Sequence, residues 1–139
     1  MPKLTTQEFV AAAEFRSALR GFQRVTERAA RREGLTPQRY LLLLMIRGAR
    51  DGTGSATVTE LSSRLELAQS TVTELVGRAE DAGLVAREAS ARDGRVIHLR
   101  VTRDGERRLA RIVDALRTER DDLQAAMEKI PAPGLSHLR

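Results

Sequence analysis

Residues 70 to 78, Ser-Thr-Val-Thr-Glu-Leu-Val-Gly-Arg, set short hydroxyls, one carboxylate and one long cation at helical spacing. Ser70, Thr73, Glu74 and Gly77 share one stripe, with Thr71 and Arg78 at its margins. Hydroxyls and a carboxylate can exchange hydrogen bonds with base edges, and a guanidinium can hold a phosphate. Further along, Arg92-Asp93-Gly94-Arg95 adds two cations, with Asp93 placed to brace one of them by a charge-assisted hydrogen bond. Arg87 joins the set as another side chain suited to phosphate. The contrary reading is an ordinary solvated helix face, and it would prevail if the stripe stood alone.

The surrounding pattern supplies a frame. Thr59 opens a helix, its hydroxyl able to accept from a first-turn amide, with Glu60 at the positive end of the helix dipole. Leu61 and Leu65 share its inner face, and Leu67 falls in a turn. A second helix over 69–82 buries Val72, Leu75, Val76 and Ala79 at steps of three and four, and Gly83 stops it. Leu84 to Ala89 and Val96 to Val101 read as strands; in the second, Ile97, Leu99 and Val101 alternate with Val96, His98 and Arg100. Asp93-Gly94 is a hairpin signal, because both residue types tolerate positive φ. Helix-turn-helix followed by hairpin is a winged helix, a mainly α fold with a small β-wing.

The flanks predict further helices. Residues 6–33 form an amphipathic helix with Phe9, Ala12, Phe15, Leu19, Phe22, Val25 and Ala29 near one stripe, closed by Gly34. Thr36 caps a second helix over Pro37–Arg47, with Leu35 and Tyr40 as a hydrophobic staple. Its run Leu41 to Ile46 is apolar on all sides and is expected at the centre of the core. Gly48 to Ala56 is a loop, and Thr57-Val58 a short third strand beside the wing. Thr102 caps a last long helix whose apolar positions Leu109, Val113, Leu116, Leu123, Met127 and Ile130 step by four and three, interrupted only by Arg120. That seam packs either on the first helix of the same subunit or in a mixture that interleaves two chains. The division is 1–36 and 103–130 as dimerisation helices, 37–102 as the lobe that carries the candidate contacts, and 131–139 as a flexible tail. Phe9, Val113, Leu116, Leu123, Met127 and Ile130 are the expected dimer contacts.

Composition narrows the classes. The chain has 139 residues, room for one domain or for a smaller core completed by a dimer interface. Net charge is +5, and every basic residue except Lys3 and Lys129 is arginine, which suits forked contact with phosphate or reflects nothing more than a genome rich in G and C. With 31% charged residues, no apolar run is long enough for a membrane, and Phe9 to Ala13 is too short for a signal-peptide core, so the expected compartment is the cytoplasm. Absence of cysteine excludes disulfides and thiol redox sensing. The histidines, His98 and His137, make no metal-ligand spacing, and there is no cysteine nucleophile, phosphate-binding Gly-Lys loop, His-Glu metal motif or Ser-His-Asp set. Neither cofactor, metal nor enzymatic activity is expected.

Six motifs in order, Leu35-Thr36-Pro37-Gln38, Val58-Thr59-Glu60-Leu61, Ser70-Thr71-Val72-Thr73, Gly83-Leu84-Val85, Asp93-Gly94-Arg95 and Val101-Thr102-Arg103-Asp104-Gly105, resemble those of the MarR family of multiple antibiotic resistance regulators. The resemblance implies a homodimeric winged-helix repressor, less often an activator, that binds an inverted-repeat operator in double-stranded DNA and is released by a small effector. It makes residues 69–82 the recognition helix and Arg95 the wing arginine. Ala68 stands where the family usually caps that helix with serine or aspartate, so Ser70 takes over the cap or the helix starts elsewhere. Glu74 occupies a place often basic or neutral; it either accepts from a cytosine amino group or turns aside. The family's effector site corresponds to Phe15, Phe22 and Tyr40, each of which reads more readily as core than as a contact to a hydrophobic or phenolic ligand. A protein of the same shape without any small ligand is the alternative.

Overall fold

The computed structural model describes residues 2–130. Its first helix, α1 (Thr6–Arg32), starts with a capping box: the Thr5 hydroxyl accepts from the Glu8 amide at 3.1 Å, and the Glu8 carboxylate accepts from the Thr5 amide at 2.6 Å. Ala11, Ala29 and Ala30 of this helix are buried and Phe15, Leu19, Phe22 and Val25 half-buried, whereas Phe9 and Ala12, expected on the same stripe, are exposed. Next comes α2 (Pro37–Arg47), capped by Thr36 on the Arg39 amide and opened by Pro37, where a missing amide proton costs nothing. Leu42, Leu43 and Ile46 of α2 are fully buried, and Leu35 and Tyr40 join them in the core. The expected all-round burial fails at Leu41, which is 41% exposed: α2 meets α1, α3, α5 and the sheet but keeps one side open to solvent.

The third strand and the next helix start elsewhere than expected. Strand β1 is Ser55–Ala56, and Thr57 is the N-cap of α3 (Val58–Leu65), not a strand residue; Thr59 lies inside the first turn. The reason is the spacing Thr57-x-x-Glu60, which completes a reciprocal capping box that Thr59 cannot form. After α3 the chain reverses through Glu66, whose φ of 55° is left-handed, and the Ser62 hydroxyl donates to the Leu67 carbonyl at 2.6 Å to close the turn. Then follow α4 (Gln69–Asp81), β2 (Val85–Ala89) and β3 (Ile97–Val101). The antiparallel sheet has the order β1-β3-β2, with Ala56 opposite Leu99 and Arg87 also opposite Leu99. Leu61 of α3, Val72, Val76 and Ala79 of α4, and Leu84, Val85 and Leu99 meet in one core with α2. This is the expected winged helix.

The expected single C-terminal helix is two: α5 (Arg103–Ala115) and α6 (Arg117–Glu128), broken at Leu116 (φ −97°, ψ 8°). Leu109, Ile112 and Leu116 are buried in the subunit core, so Leu116 is an interior residue and not a dimer contact. Arg120, the interruption in the apolar repeat, turns inward and donates to the Val113 carbonyl, a group the helix break leaves without its usual partner. α6 then packs along α1, with Leu123 and Ile130 half-buried and Met127 54% exposed. The expected tail 131–139 lies outside the described residues. No described helix is long and apolar enough to cross a membrane.

A tight junction sets the sheet against α5. The Thr102 amide donates to the Leu84 carbonyl at 3.0 Å, and its hydroxyl donates to the Gly83 carbonyl at 2.7 Å while accepting from the Gly105 amide at 3.2 Å. Gly105 is required there, because a Cβ would come within 2.6 Å of the Leu84 carbonyl oxygen. Gly83 has φ +74°, the left-handed stop that lets α4 end and β2 begin.

Candidate nucleic-acid interface

The core-facing stripe of α4 fixes its other face. With Val72, Val76 and Ala79 buried, Ser70, Thr73, Glu74 and Arg78 are all exposed, and Thr71 and Gly77 are half-buried at the margins. Ala68 is the N-cap and makes no side-chain cap; Ser70 does not take over that role. The first-turn amides of α4 are thus left without a side-chain acceptor, an arrangement that suits a phosphate oxygen. Thr73 donates its hydroxyl proton to the Gln69 carbonyl at 2.9 Å, so its outward surface is a methyl group and acceptor lone pairs. Such a surface can meet a thymine methyl or an amino group on a base edge. Glu74 turns along the helix toward Arg78, 3.5 Å away; both side chains are about two-thirds exposed, and an exposed pair at that distance is worth little. A Cβ on Gly77 would meet nothing within 4 Å, so internal packing gives no reason for a residue that costs a helix about 1 kcal/mol relative to alanine.

The wing differs from expectation in its turn. Asp93 and Gly94 do not adopt positive φ, and the strands are joined by the longer loop 90–96 in place of a two-residue turn. Ser90 organises it: its hydroxyl accepts from the Arg92 and Asp93 amides, and its own amide donates to the Val96 carbonyl. The Asp93 carboxylate accepts from the backbone amide of Arg95 at 3.0 Å. It braces the loop backbone, not an arginine side chain, because the amide two residues on lies within reach of a short aspartate. Arg92 and Arg95 are exposed and make no ion pair among the described residues.

Arg87 is placed differently from these two. Its guanidinium sits 2.6 Å from the Glu80 carboxylate and ties β2 to the last turn of α4, so its charge is already engaged. His98, expected on an outward wing face, is half-buried with Nδ1 3.1 Å from the Ser55 hydroxyl; it links β3 to β1. Arg100 likewise pairs with Glu88 across the strands at 2.9 Å.

Phe15, Phe22 and Tyr40 do not surround a described recess. Tyr40 is 4% exposed, and burial raises its phenol pKa above the ordinary value of 10.0, with the Arg120 charge opposing that shift. Phe22 packs on the core, and Phe15 is half-buried on α1. A recess of about 540 Å³ lies instead between the end of α2, β1 and α3, where Met45, Ala49 and Leu61 form an apolar floor beside Arg50, Glu60 and Arg64. Two further residues position the candidate contacts without being evident from the sequence motifs: Glu80, which holds Arg87, and Ser90, which orders the wing loop. Charge complementarity at i and i+7 across a glycine stop hints at the first; nothing in the local spacing gives the second.

Residues 33–96 match the MarR family. The HTH-type transcriptional repressor MdtR of Bacillus subtilis (strain 168) is 33% identical over 75 residues, which are 54% of this chain and 46% of that repressor, so the match spans less than half the relative's length. Among solved structures, a MarR family protein from Bacillus stearothermophilus is similar with a TM-score of 0.68 and 26% identity, over 97% of this chain and 91% of the other. A mutant MarR from E. coli complexed with operator DNA shares the fold with a TM-score of 0.63 and 18% identity, over 99% and 94% of the two chains. The helix-turn-helix and wing match the MarR family model, and the fold over nearly the full chain is similar to that of a solved MarR family protein.

Proposed function

We propose that the protein is a sequence-specific DNA-binding regulator of transcription, a repressor that acts as a homodimer and leaves its operator when a small hydrophobic or phenolic effector binds. The observation that carries the reading is the pairing of two exposed surfaces on one frame: the Ser70 to Arg78 face of α4 and the arginine-tipped loop 90–96. A recognition helix of this kind enters the major groove, and a wing arginine reaches backbone or minor groove beside it. The family's complex with operator DNA and the repressor activity named for the B. subtilis relative support both DNA as partner and repression as outcome.

Dimerisation is assigned to the segments 1–36 and 103–130, with 37–102 as the DNA-binding lobe. Leu4 just before α1, Phe9 and Val10 at its start and Met127 of α6 are large apolar side chains left about half or more exposed. A second copy covering them would set two reading heads on an inverted repeat, with half-site centres about 10 bp apart. Paired Phe9→Lys and Met127→Lys substitutions would then yield monomers with weakened operator binding; an unaltered dimer by sedimentation would move the interface elsewhere. A regulator of the same shape without a small ligand is the second reading, favoured by the packing of Tyr40 and Phe22 in the subunit core. Selection of bound duplexes from a random pool tests the main reading, and enrichment of no sequence would defeat it. A ligand screen on the resulting complex, with thermal stabilisation as readout, separates the two readings.

A further inference from the structure

α1 is packed along one face and bare along the other. Phe22, Val25 and Ala29 turn inward, while Arg16, Arg20, Arg24 and Arg28 follow at four-residue steps on the opposite side and Arg31 adds a fifth cation. At about 100° per residue these five fall within an arc of about 120° and span about 22 Å of helix axis. All five are exposed, and none forms an ion pair among the described residues, although Glu27 lies within the same arc. The contrast with α5 and α6 is sharp: Arg107 and Arg108 pair with Asp104, and Arg117 follows suit with Asp114. Like charges at i and i+4 repel, and arginine cannot relieve the strain by losing its proton.

At one end of the row is a recess of about 400 Å³ whose polar lining is Arg16, Ser17, Arg20 and Gln23, with no carboxylate. Gly21, next to it, has a bare backbone where a Cβ would meet nothing within 4 Å. Donors without acceptors, repeated over a length no single small anion covers, fit a polymer of phosphates. Duplex DNA offers one such charge per about 1.7 Å of axis. A membrane surface fits less well, because between Arg16 and Arg31 the arc carries no large apolar side chain to enter the acyl boundary, and the exposed Phe9 and Val10 that extend it toward the start of α1 are the proposed dimer contacts. α4, moreover, has one arginine against the three acids Glu74, Glu80 and Asp81, so attraction to phosphate must come from other parts of the chain.

We propose that the arginine face of α1 is a second phosphate-binding surface, holding the backbone of duplex DNA outside the sequence read by α4. It rests on the proposed function only in taking DNA as the polyanion. The test uses the full chain with Arg16, Arg20, Arg24 and Arg28 all changed to Gln, titrated against a random-sequence duplex and against a minimal operator duplex over a salt series. Affinity for the random duplex is expected to fall at least about tenfold at low salt, with a salt slope shallower by about 3.6, because each phosphate contact contributes about 0.9 to that slope. Minimal operator affinity should stay within about twofold. Glutamine forms helix well and removes repulsion, so the fold is expected to hold. Should the quadruple variant fail to fold, Arg20→Gln with Arg24→Gln must still lower the slope by about two. Unchanged random-duplex affinity and slope would overturn the proposal. So would unchanged DNA binding accompanied by lost binding to vesicles of equal phosphatidylserine and phosphatidylcholine, which would assign the face to membranes. A wild-type protein that selects no operator yet binds random duplex through these arginines would sink the reading of α4 and leave this inference standing; one that binds no DNA sinks both.

Discussion

α4 and the wing are adjacent in the fold and opposite in chemistry. α4 presents hydroxyls, a methyl and a bare glycine, and its only arginine is set against Glu74, Glu80 and Asp81. The wing carries Arg87, Arg92, Arg95 and Arg100 against Glu88 and Asp93. Two of those arginines are engaged inside the molecule, by Glu80 and Glu88, which leaves Arg92 and Arg95 at the tip. Attraction to phosphate is long-ranged, salt-dependent and indifferent to sequence, whereas contact with base edges is short-ranged and selective. On the proposed function, separating the two onto different elements would let an acidic helix read bases while an exposed loop supplies the charge.

The sharpest way to break this comparison is to damage the frame both regions share. Leu116 is fully buried at the break between α5 and α6, so Leu116→Ala should cost about 2–5 kcal/mol of folding stability, measured by denaturant unfolding. Operator affinity per folded molecule should be unchanged; a selective loss of sequence preference would mean that the two regions are not carried as one body. Next in size is the direct contrast. Arg95→Ala should lose about 1–3 kcal/mol of binding to matched and scrambled DNA alike, with a salt slope shallower by about one. Thr73→Ala should instead narrow the gap between matched and scrambled DNA while leaving the slope alone. Competition assays across a salt series decide it, and an exchange of the two outcomes would reverse the assignment.

A smaller effect is expected at Asp93. Its carboxylate holds the Arg95 amide, so Asp93→Ala loosens the loop without removing a cation. Binding should weaken by less than for Arg95→Ala, with the salt slope retained; a slope changed as much as by Arg95→Ala would make Asp93 part of the charge balance at the DNA. The smallest effect is a titration. Tyr40 is the only tyrosine and there is no tryptophan, so near-ultraviolet absorbance reports this one phenol. Burial raises its folded pKa, so the phenol contributes stability below the unfolded value of 10.0, and that stability is lost as pH rises through the folded value. Ionisation should therefore come above pH 10.0 and together with unfolding. A phenol that ionises reversibly at its ordinary value in folded protein would show Tyr40 open to solvent, as a ligand-accessible pocket would require.

The sequence by itself determined the helix-turn-helix and hairpin order and the face that α4 buries. Periodicities of three and four placed Val72, Val76 and Ala79 inward and so left Ser70, Thr73, Glu74 and Arg78 outward, because side-chain direction on a helix follows from spacing alone. Thr36, Pro37 and Gly83 marked their boundaries for similarly local reasons. What tertiary structure decided were the matters that depend on residues distant in the chain or on competing local bonds. Leu109, Leu116, Leu123 and Met127 look like one seam in sequence, but the break at Leu116 sends the first two into the subunit core and leaves Met127 in solvent. Arg87, Arg92 and Arg95 look equivalent as cations; only the approach of Glu80 to β2 engages the first and leaves the other two free to meet a partner. A repeat of apolar or charged residues specifies a surface, whereas the partner of that surface is chosen by whichever element the folded chain brings against it.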